Sequence, residues 1–339
     1  MRTRWSLLLL CILALIAGAC SPVDEFPVLE GPYLGQTPPA GEPELFAPGV
    51  LSTGMYERDI TMTPGGDEIY FGMIFGRYVT VACTRLEKGR WTRPEVASFA
   101  SDPAFGCFEP HVTPDGKRML FLSTRPPEGK EPAPGWFYQN IWAANRRDDG
   151  TWDEPYALGD SINTDDFEYY PSVTSDGTLY FTRQKRGLRE TKIYRSRMVG
   201  GWYSAPEELP EPVNGTGNIY NAFVSPDESY LLACIEGLGD GFAGDQANYY
   251  VFFNDGDDSW SGPVNLGETI NHPGVRATSQ FVSPDGRYLF FASTKTRAPG
   301  EIASGGFTYD LLRRIYMEAQ NGDSDIYWVD AAIIEKLRP

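Results

Sequence analysis

Five polar sets recur along the chain at a similar distance ahead of a tight turn: Glu57, Arg58 and Asp59; Glu109 and His111; Glu168 and Tyr170; Tyr220 and Asn221; and Arg276, Ser279 and Gln280. Carboxylates and amides of this kind hold hydroxyl-rich or cationic ligands by hydrogen bonds, and the rings of Tyr170 and Tyr220 offer stacking faces. A pair such as Asp59 and Glu109 also has the chemistry of glycoside hydrolysis, one group acting as acid and the other as base or nucleophile, if the two stand across a sugar. His111 beside Glu109 has the chemistry of a general base, although a lone histidine on an inner strand is more often structural.

Other catalytic signatures are scarce. His111 and His272 are the two histidines, and the chain contains no HExxH, no GxSxG and no Gly-rich phosphate loop, so no metal and no cofactor are expected. "RRDDGTW" (146–152) resembles the Asp-box of sialidases but has one residue fewer between Gly and Trp, and it is read as structural. "GDGFAGDQAN" places Asp240 and Asp245 among glycines without the alternating ligands of a calcium loop, which points to a flexible loop. Asn214-Gly-Thr216 fits a glycosylation sequon. With 46 acidic against 29 basic residues the formal net charge is −17. A body this acidic repels phosphate backbones and argues against nucleic acid as a partner. Cys83, Cys107 and Cys234 lack metal-type spacing and leave either one disulfide or buried free thiols.

The elements that must position these residues are written in the turns. "VTPDGKRMLF" (112–121) returns as "MTPGGDEIYF" (62–71), "VTSDGTLYF" (173–181), "VSPDESYLL" (224–232) and "VSPDGRYLFF" (282–291). Each copy opens a hairpin and is followed by a loop, a third strand, a Gly turn and a fourth strand bearing Trp and Pro. Trp91, Trp152, Trp202 and Trp260 share one repeat position, which suits packing between repeats. Four antiparallel strands recurring every 40–60 residues or so are the signature of propeller blades, which makes the chain all-β.

In these motifs, over roughly residues 44–335, the chain resembles the WD40-like, PDG-containing propeller repeat of bacterial envelope proteins, the type also found in TolB. The resemblance implies a single β-propeller of four-stranded blades and says little about activity. The fifth repeat has three strands ending in Ser324-Asp-Ile-Tyr-Trp-Val-Asp330 but no Gly-Trp-Pro strand, while "PELFAPGVLS" (43–52) precedes the first repeat where a fourth strand belongs. The N-terminal segment is therefore expected to complete the last blade, giving five blades; six is the alternative if a weak blade lies within 294–324.

Strand alternation puts the first-to-second and third-to-fourth turns on one face and the second-to-third loops on the other. The latter carry the insertions 124–139, 236–248 and 294–324, so the polar sets are expected at the mouth of the long-loop face. The segment "YDLLRRIYMEAQNG" (309–322) has Leu312, Ile315, Tyr316 and Ala319 at helical spacing and is expected to lid the mouth or plug the axis. The expected function is binding of an envelope protein, or of an oligosaccharide or other envelope polymer, at this face. The alternative is a glycan-acting enzyme, of glycoside hydrolase or lyase type, using carboxylates at the same mouth.

The first twenty residues, "MRTRWSLLLLCILALIAGAC", carry Arg2 and Arg4, an apolar run from Leu7 to Ile16, and small residues before Cys20. That is a secretory signal with a small-residue cleavage site. It resembles the bacterial lipoprotein signal, which implies cleavage after residue 19, acylation of Cys20 and a membrane anchor. Ala17 departs from the leucine usual three residues before the cysteine, and Ser21 in place of Asp suggests the outer membrane, facing periplasm or cell surface. Residues 20–43, rich in Pro, Gly and Glu, are expected to form an extended tether.

Overall fold

The structure, a computed structural model, describes residues 26–215, 217–239, 246–256, 258–272, 276–298 and 306–339. It is a five-bladed β-propeller. From the axis outward, blade one runs through Tyr56–Met62, Glu68–Phe75 and Tyr78–Glu87, with Arg90–Trp91 and Glu95–Val96 sharing its outer edge. Blade two comprises Cys107–Val112, Arg118–Ser123, Asn140–Asn145 and Tyr156–Ala157, and blade three Phe167–Val173, Leu179–Gln184, Thr191–Ser196 and Glu207–Glu208. Blade four comprises Asn218–Val224, Tyr230–Glu236, Asn248–Phe253 and Val264–Asn265. Blade five takes Gln280–Val282, Tyr288–Ser293 and Asp325–Asp330 from the end of the chain and its outer strand, Glu44–Leu45, from the beginning.

The recurring turn explains why each hairpin forms. In blade two the Thr113 hydroxyl donates to Asp115 Oδ1 at 2.6 Å, and Gly116 N donates to Thr113 O at 2.8 Å. Gly116 sits at φ 69°, a left-handed conformation open to glycine without penalty. Blade four has Glu228 in that place at φ 61°, and the Tyr180 hydroxyl from blade three bonds its carboxylate. Successive strands alternate their side chains between the two faces of a blade, and both faces pack on neighbouring blades. The inner strands are accordingly buried nearly throughout, and Trp91, Trp152 and Trp260 are 3%, 4% and 5% exposed.

Closure follows the expected route. Glu44 pairs with Trp328 and Leu45 with Tyr327, Phe46 N donates to Ile326 O, and Phe46 and Leu51 are fully buried. Three expectations are corrected. Residues 28–36 do not run free as a tether: Trp91 donates to Leu29 O and Gly31 O, and Leu34, in the turn Pro32–Gly35, is buried. Trp202 does not pack between blades; the separate hairpin Met198–Val199/Trp202–Tyr203 turns it outward, and it is 80% exposed. The helix covers Tyr309–Tyr316 and buries Leu311, whereas Leu312 and Tyr316 face solvent. None of its residues lines the cleft or the axial void described below. Its end lies so close to Gly54 that a Cβ there would stand 2.5 Å from the Met317 backbone, which is why glycine occupies that position. Cys83, Cys107 and Cys234 are free and buried, so of the two alternatives the thiols hold.

The calcium-loop candidates Asp240 and Asp245, and Cys20 with the whole signal segment, lie outside the described residues. Among the described residues no helix is long and apolar enough to cross a membrane.

Candidate functional site

The inner strand of each of the first four blades carries a bulge at one repeat position, marked by a left-handed residue: Asp59 at φ 56°, Glu109 at 56°, Tyr170 at 53° and Asn221 at 53°. The bulge turns these side chains inward and sideways, toward other blades of the ring instead of up into the mouth. Asp59 N donates to Ser279 Oγ at 3.0 Å, and Tyr170 N donates to Glu109 Oε2 at 2.9 Å. Asn221 N completes its share by donating to Thr182 Oγ1 at 2.9 Å. A second tier lies two residues on: Val112 N donates to Thr61 Oγ1 at 3.2 Å, Val173 N to His111 Nε2 at 3.0 Å and Val224 N to Ser172 Oγ at 3.0 Å. At the fourth-to-fifth seam the corresponding contact is aromatic, Phe223 on Phe281 with ring centroids 5.6 Å apart. These two tiers satisfy inner-edge donors that a free strand would leave bare.

The ring is also electrostatically closed. Arg58 Nε lies 2.7 Å from the Asp59 carboxylate, and its Nη2 lies 3.3 Å from both Glu109 Oε1 and Thr278 O. One guanidinium thus serves two buried carboxyl groups. Burial, then the charge of Asp59, push Glu109 up to about 8, so it carries a proton at neutral pH. Burial lowers His111 to about 4 and keeps it the neutral acceptor that Val173 needs. Tyr170 spans the axis, donating to Gln280 O at 2.8 Å and accepting from Gln280 N at 2.9 Å. Gln280 in turn donates to Asn221 O and to Leu232 O. The void left on the axis is about 10 Å³, about the size of one water molecule.

Glu168 is likewise buried. It accepts from Thr164 N and Oγ1 and from Arg183 Nε at 3.1, 2.6 and 2.9 Å, and Glu57 makes the same loop contact with Thr53 N at 3.2 Å. Of the twelve residues expected at the mouth, Arg58, Asp59, Glu109, His111, Tyr170, Asn221, Ser279 and Gln280 thus gather in the axial ring, and Glu57 and Glu168 hold loops. Tyr220 and Arg276 come together elsewhere.

They line a cleft of about 530 Å³ on the long-loop face, between blades three, four and five. Tyr169, Gln184, Arg189 and Thr191 form one wall, and Asn218, Tyr220, Glu236, Gln246 and Arg276 form the rest. Glu236 is fixed from three sides: Arg276 Nη2 at 3.1 Å, Asn218 Nδ2 at 3.3 Å and the Tyr220 hydroxyl at 3.4 Å. Thr191 anchors Asn218 from blade three, its N and Oγ1 donating to Asn218 Oδ1 at 3.1 and 2.7 Å. Burial, then the charge of Glu109, raise the Tyr169 phenol, and burial raises that of Tyr220, so both remain neutral hydroxyls. Among the residues lining the cleft, Glu236 is the one carboxylate, and among the described residues no group of three or more His, Cys, Asp or Glu is placed to hold a metal.

The "RRDDGTW" motif and the asparagine of the sequon prove structural. Arg146 of "RRDDGTW" chelates Glu68 of blade one at 2.7 Å through both Nη atoms, and Trp152 Nε1 donates to Tyr70 Oη at 2.9 Å. Asn214 of the sequon is buried, its amide bonded to Ile193 N, Ile193 O and Leu209 O. Asn163 and Asn271 clasp the third strands of blades two and four in the same way.

No protein-family model matches this chain, and no curated protein matches it. Solved structures resemble it in shape. A TolB-type protein from Agrobacterium tumefaciens aligns at TM-score 0.46 and 14% identity, over 81% of this chain and 90% of that one. An alpha-L-arabinofuranosidase from Lactobacillus brevis aligns at 0.44 and 13%, over 82% and 91%, and a gluconolactonase from Xanthomonas campestris at 0.43 and 14%, over 79% and 92%. At such identity these likenesses concern the propeller fold and transfer no activity.

Proposed function

We propose that this propeller is a lipid-anchored protein of the bacterial envelope that binds an oligosaccharide, or a comparable hydroxyl-rich envelope polymer, in the cleft between blades three, four and five. The observation that carries the reading is the cleft's lining. Neutral phenols, amides, a threonine hydroxyl, two arginines and one pinned carboxylate surround a volume suited to two or three sugar rings, and such donors and acceptors exchange readily with carbohydrate hydroxyls. The Arg276–Glu236 pair and the two tyrosines supply directional contacts, and Tyr169 and Tyr220 an apolar surface for a sugar face.

Binding is favoured over glycan cleavage because the two-carboxylate arrangement is missing where a ligand fits: Asp59 and Glu109 are committed to the axial ring, and Glu236 stands alone in the cleft. The test is calorimetric titration of envelope-derived oligosaccharides into wild type, Glu236→Gln and Arg276→Ala. Binding by wild type that weakens about tenfold or more in both variants, with no sugar released, supports the reading. Binding indifferent to both substitutions removes the cleft, and sugar release by wild type alone establishes an enzyme.

The anchor is proposed at Cys20, from the signal segment and the cysteine that closes it. Growth with a radiolabelled fatty acid should mark wild type and leave Cys20→Ser unmarked; equal marking would contradict it.

A further inference from the structure

The segment that leads from the anchor is pinned to one side of the disc. Trp91 N donates to Leu29 O at 2.9 Å, Trp91 Nε1 to Gly31 O at 2.7 Å, and Arg90 Nε lies 3.1 Å from Glu30. Tyr33 Oη donates to Asp285 Oδ2 at 2.9 Å, and its ring stands 5.0 Å from that of Tyr288. Arg90 follows the third-to-fourth turn of blade one, and Asp285 sits in the first-to-second turn of blade five. Both belong to the short-turn face, opposite the cleft. At the outer edge of blade one Arg93 stacks over Phe26 at 5.5 Å. Phe26 is only six residues after Cys20, a length of chain that spans at most about 20 Å.

Across the same face, the third-to-fourth turn of blade three is the hairpin that presents Val199, 65% exposed, and Trp202, 80% exposed. An indole set out on a short hairpin, with an apolar ring and one polar N–H, suits the boundary between headgroups and acyl chains.

We infer that the short-turn face is the surface that meets the lipid bilayer, with the Val199–Trp202 hairpin seated among the headgroups and the cleft turned away from the membrane. The inference rests on the acylation of Cys20 proposed above. Two contacts then fix the orientation: the acyl chains beside blade one and the hairpin beneath blade three. A protein so held presents its cleft to polymers beyond the membrane surface. The rival orientation has its own apolar material, since Phe75, Trp136, Phe137, Tyr309 and Tyr316 are exposed on the long-loop face.

Because Cys83, Cys107 and Cys234 are buried, a cysteine introduced at the surface is the one that takes a thiol-reactive fluorophore. Full-length acylated Val199→Cys and Phe137→Cys proteins, labelled with an environment-sensitive dye, would be reconstituted into phosphatidylcholine–phosphatidylethanolamine vesicles with and without headgroup-proximal nitroxide lipid. The expected result is loss of about half the emission at position 199 and about a tenth or less at position 137. Stronger quenching at 137, equal quenching at both, or none at either overturns the orientation. Fatty-acid labelling of the same preparations separates the two claims: without acylation the anchor fails and takes the orientation with it, whereas acylated protein with an inverted pattern refutes the orientation alone.

Discussion

The backbone N–H of Val173 in blade three donates to Nε2 of His111 in blade two across 3.0 Å, inside a ring where both residues are buried. An imidazolium has no lone pair to accept that bond. The folded His111 pKa, lowered to about 4, lies below its ordinary value, so the native state binds fewer protons than the unfolded chain between about pH 6.5 and 4. This contribution to stability is complete above about pH 6.5 and is lost as the pH falls toward 4. His111→Ala, which orphans Val173 N, should cost about 1–3 kcal/mol at pH 7 and flatten the acid limb of a denaturant-midpoint profile. An unchanged acid limb would contradict the latch.

Glu109 works with the opposite sign. Its folded pKa is raised to about 8, so the native state holds a proton that the unfolded chain has released, and stability falls as the pH rises from about 4.5 to 8. Glu109→Gln keeps an oxygen for Tyr170 N and removes the charge. It should stabilise the protein at pH 8.5 by about 1 kcal/mol or more and have little effect at pH 5. Equal melting-temperature changes at the two pH values would show that Glu109 is ionised throughout.

Closure predicts an asymmetry at the N-terminus. A chain starting at Ser52 lacks Glu44–Leu45 and the buried Phe46 and Leu51, leaving the Asp325–Asp330 strand as an open edge. It should aggregate or lose cooperative unfolding, whereas a chain starting at Ser21 should not. Equal melting curves would refute closure by this strand.

The tryptophans of the repeat should divide by blade. Trp91→Ala opens a cavity and frees Gly31 O, at a cost of about 3–5 kcal/mol, while Trp202→Ala should stay within about 0.5 kcal/mol in the detergent-free soluble domain. Chemical denaturation of the two variants distinguishes them.

The blades were legible because their signal is local: a Thr/Ser-x-Asp-Gly turn determines its own geometry, and three full copies with two variants, Thr-Pro-Gly-Gly and Ser-Pro-Asp-Glu, spell a ring. The segment 43–52 was legible as the missing strand by the same count. The ring was misplaced at the mouth because the left-handed bulge at Asp59, Glu109 and Tyr170, which turns each side chain into the ring, has no local signature in residues that rarely adopt that conformation. Trp202 misled for a related reason, since two glycines let blade three form an extra hairpin at an otherwise conforming position. The clasps Asn163, Asn214 and Asn271 were missed although their signal was present: each follows Ile or Val in the connection to the next inner strand. The cleft itself was half visible. Tyr220 and Arg276 stood out by alignment on the turn, but Gln184, Arg189 and Thr191 lie around a second-to-third loop with no counterpart in the repeat, and which pair of blades parts to form a cleft is a long-range property.

The most direct measurement of the central claim is the footprint of an envelope oligosaccharide on the protein, read by hydrogen–deuterium exchange at a ligand concentration that saturates wild type. The account predicts slowed exchange in 184–191, 218–220, 236–239, 246–247 and 276–278, the described backbone around the cleft, with the axial strands at Asp59, Glu109 and His111 unchanged. Protection centred on the axial ring, or on the short-turn face, would contradict it.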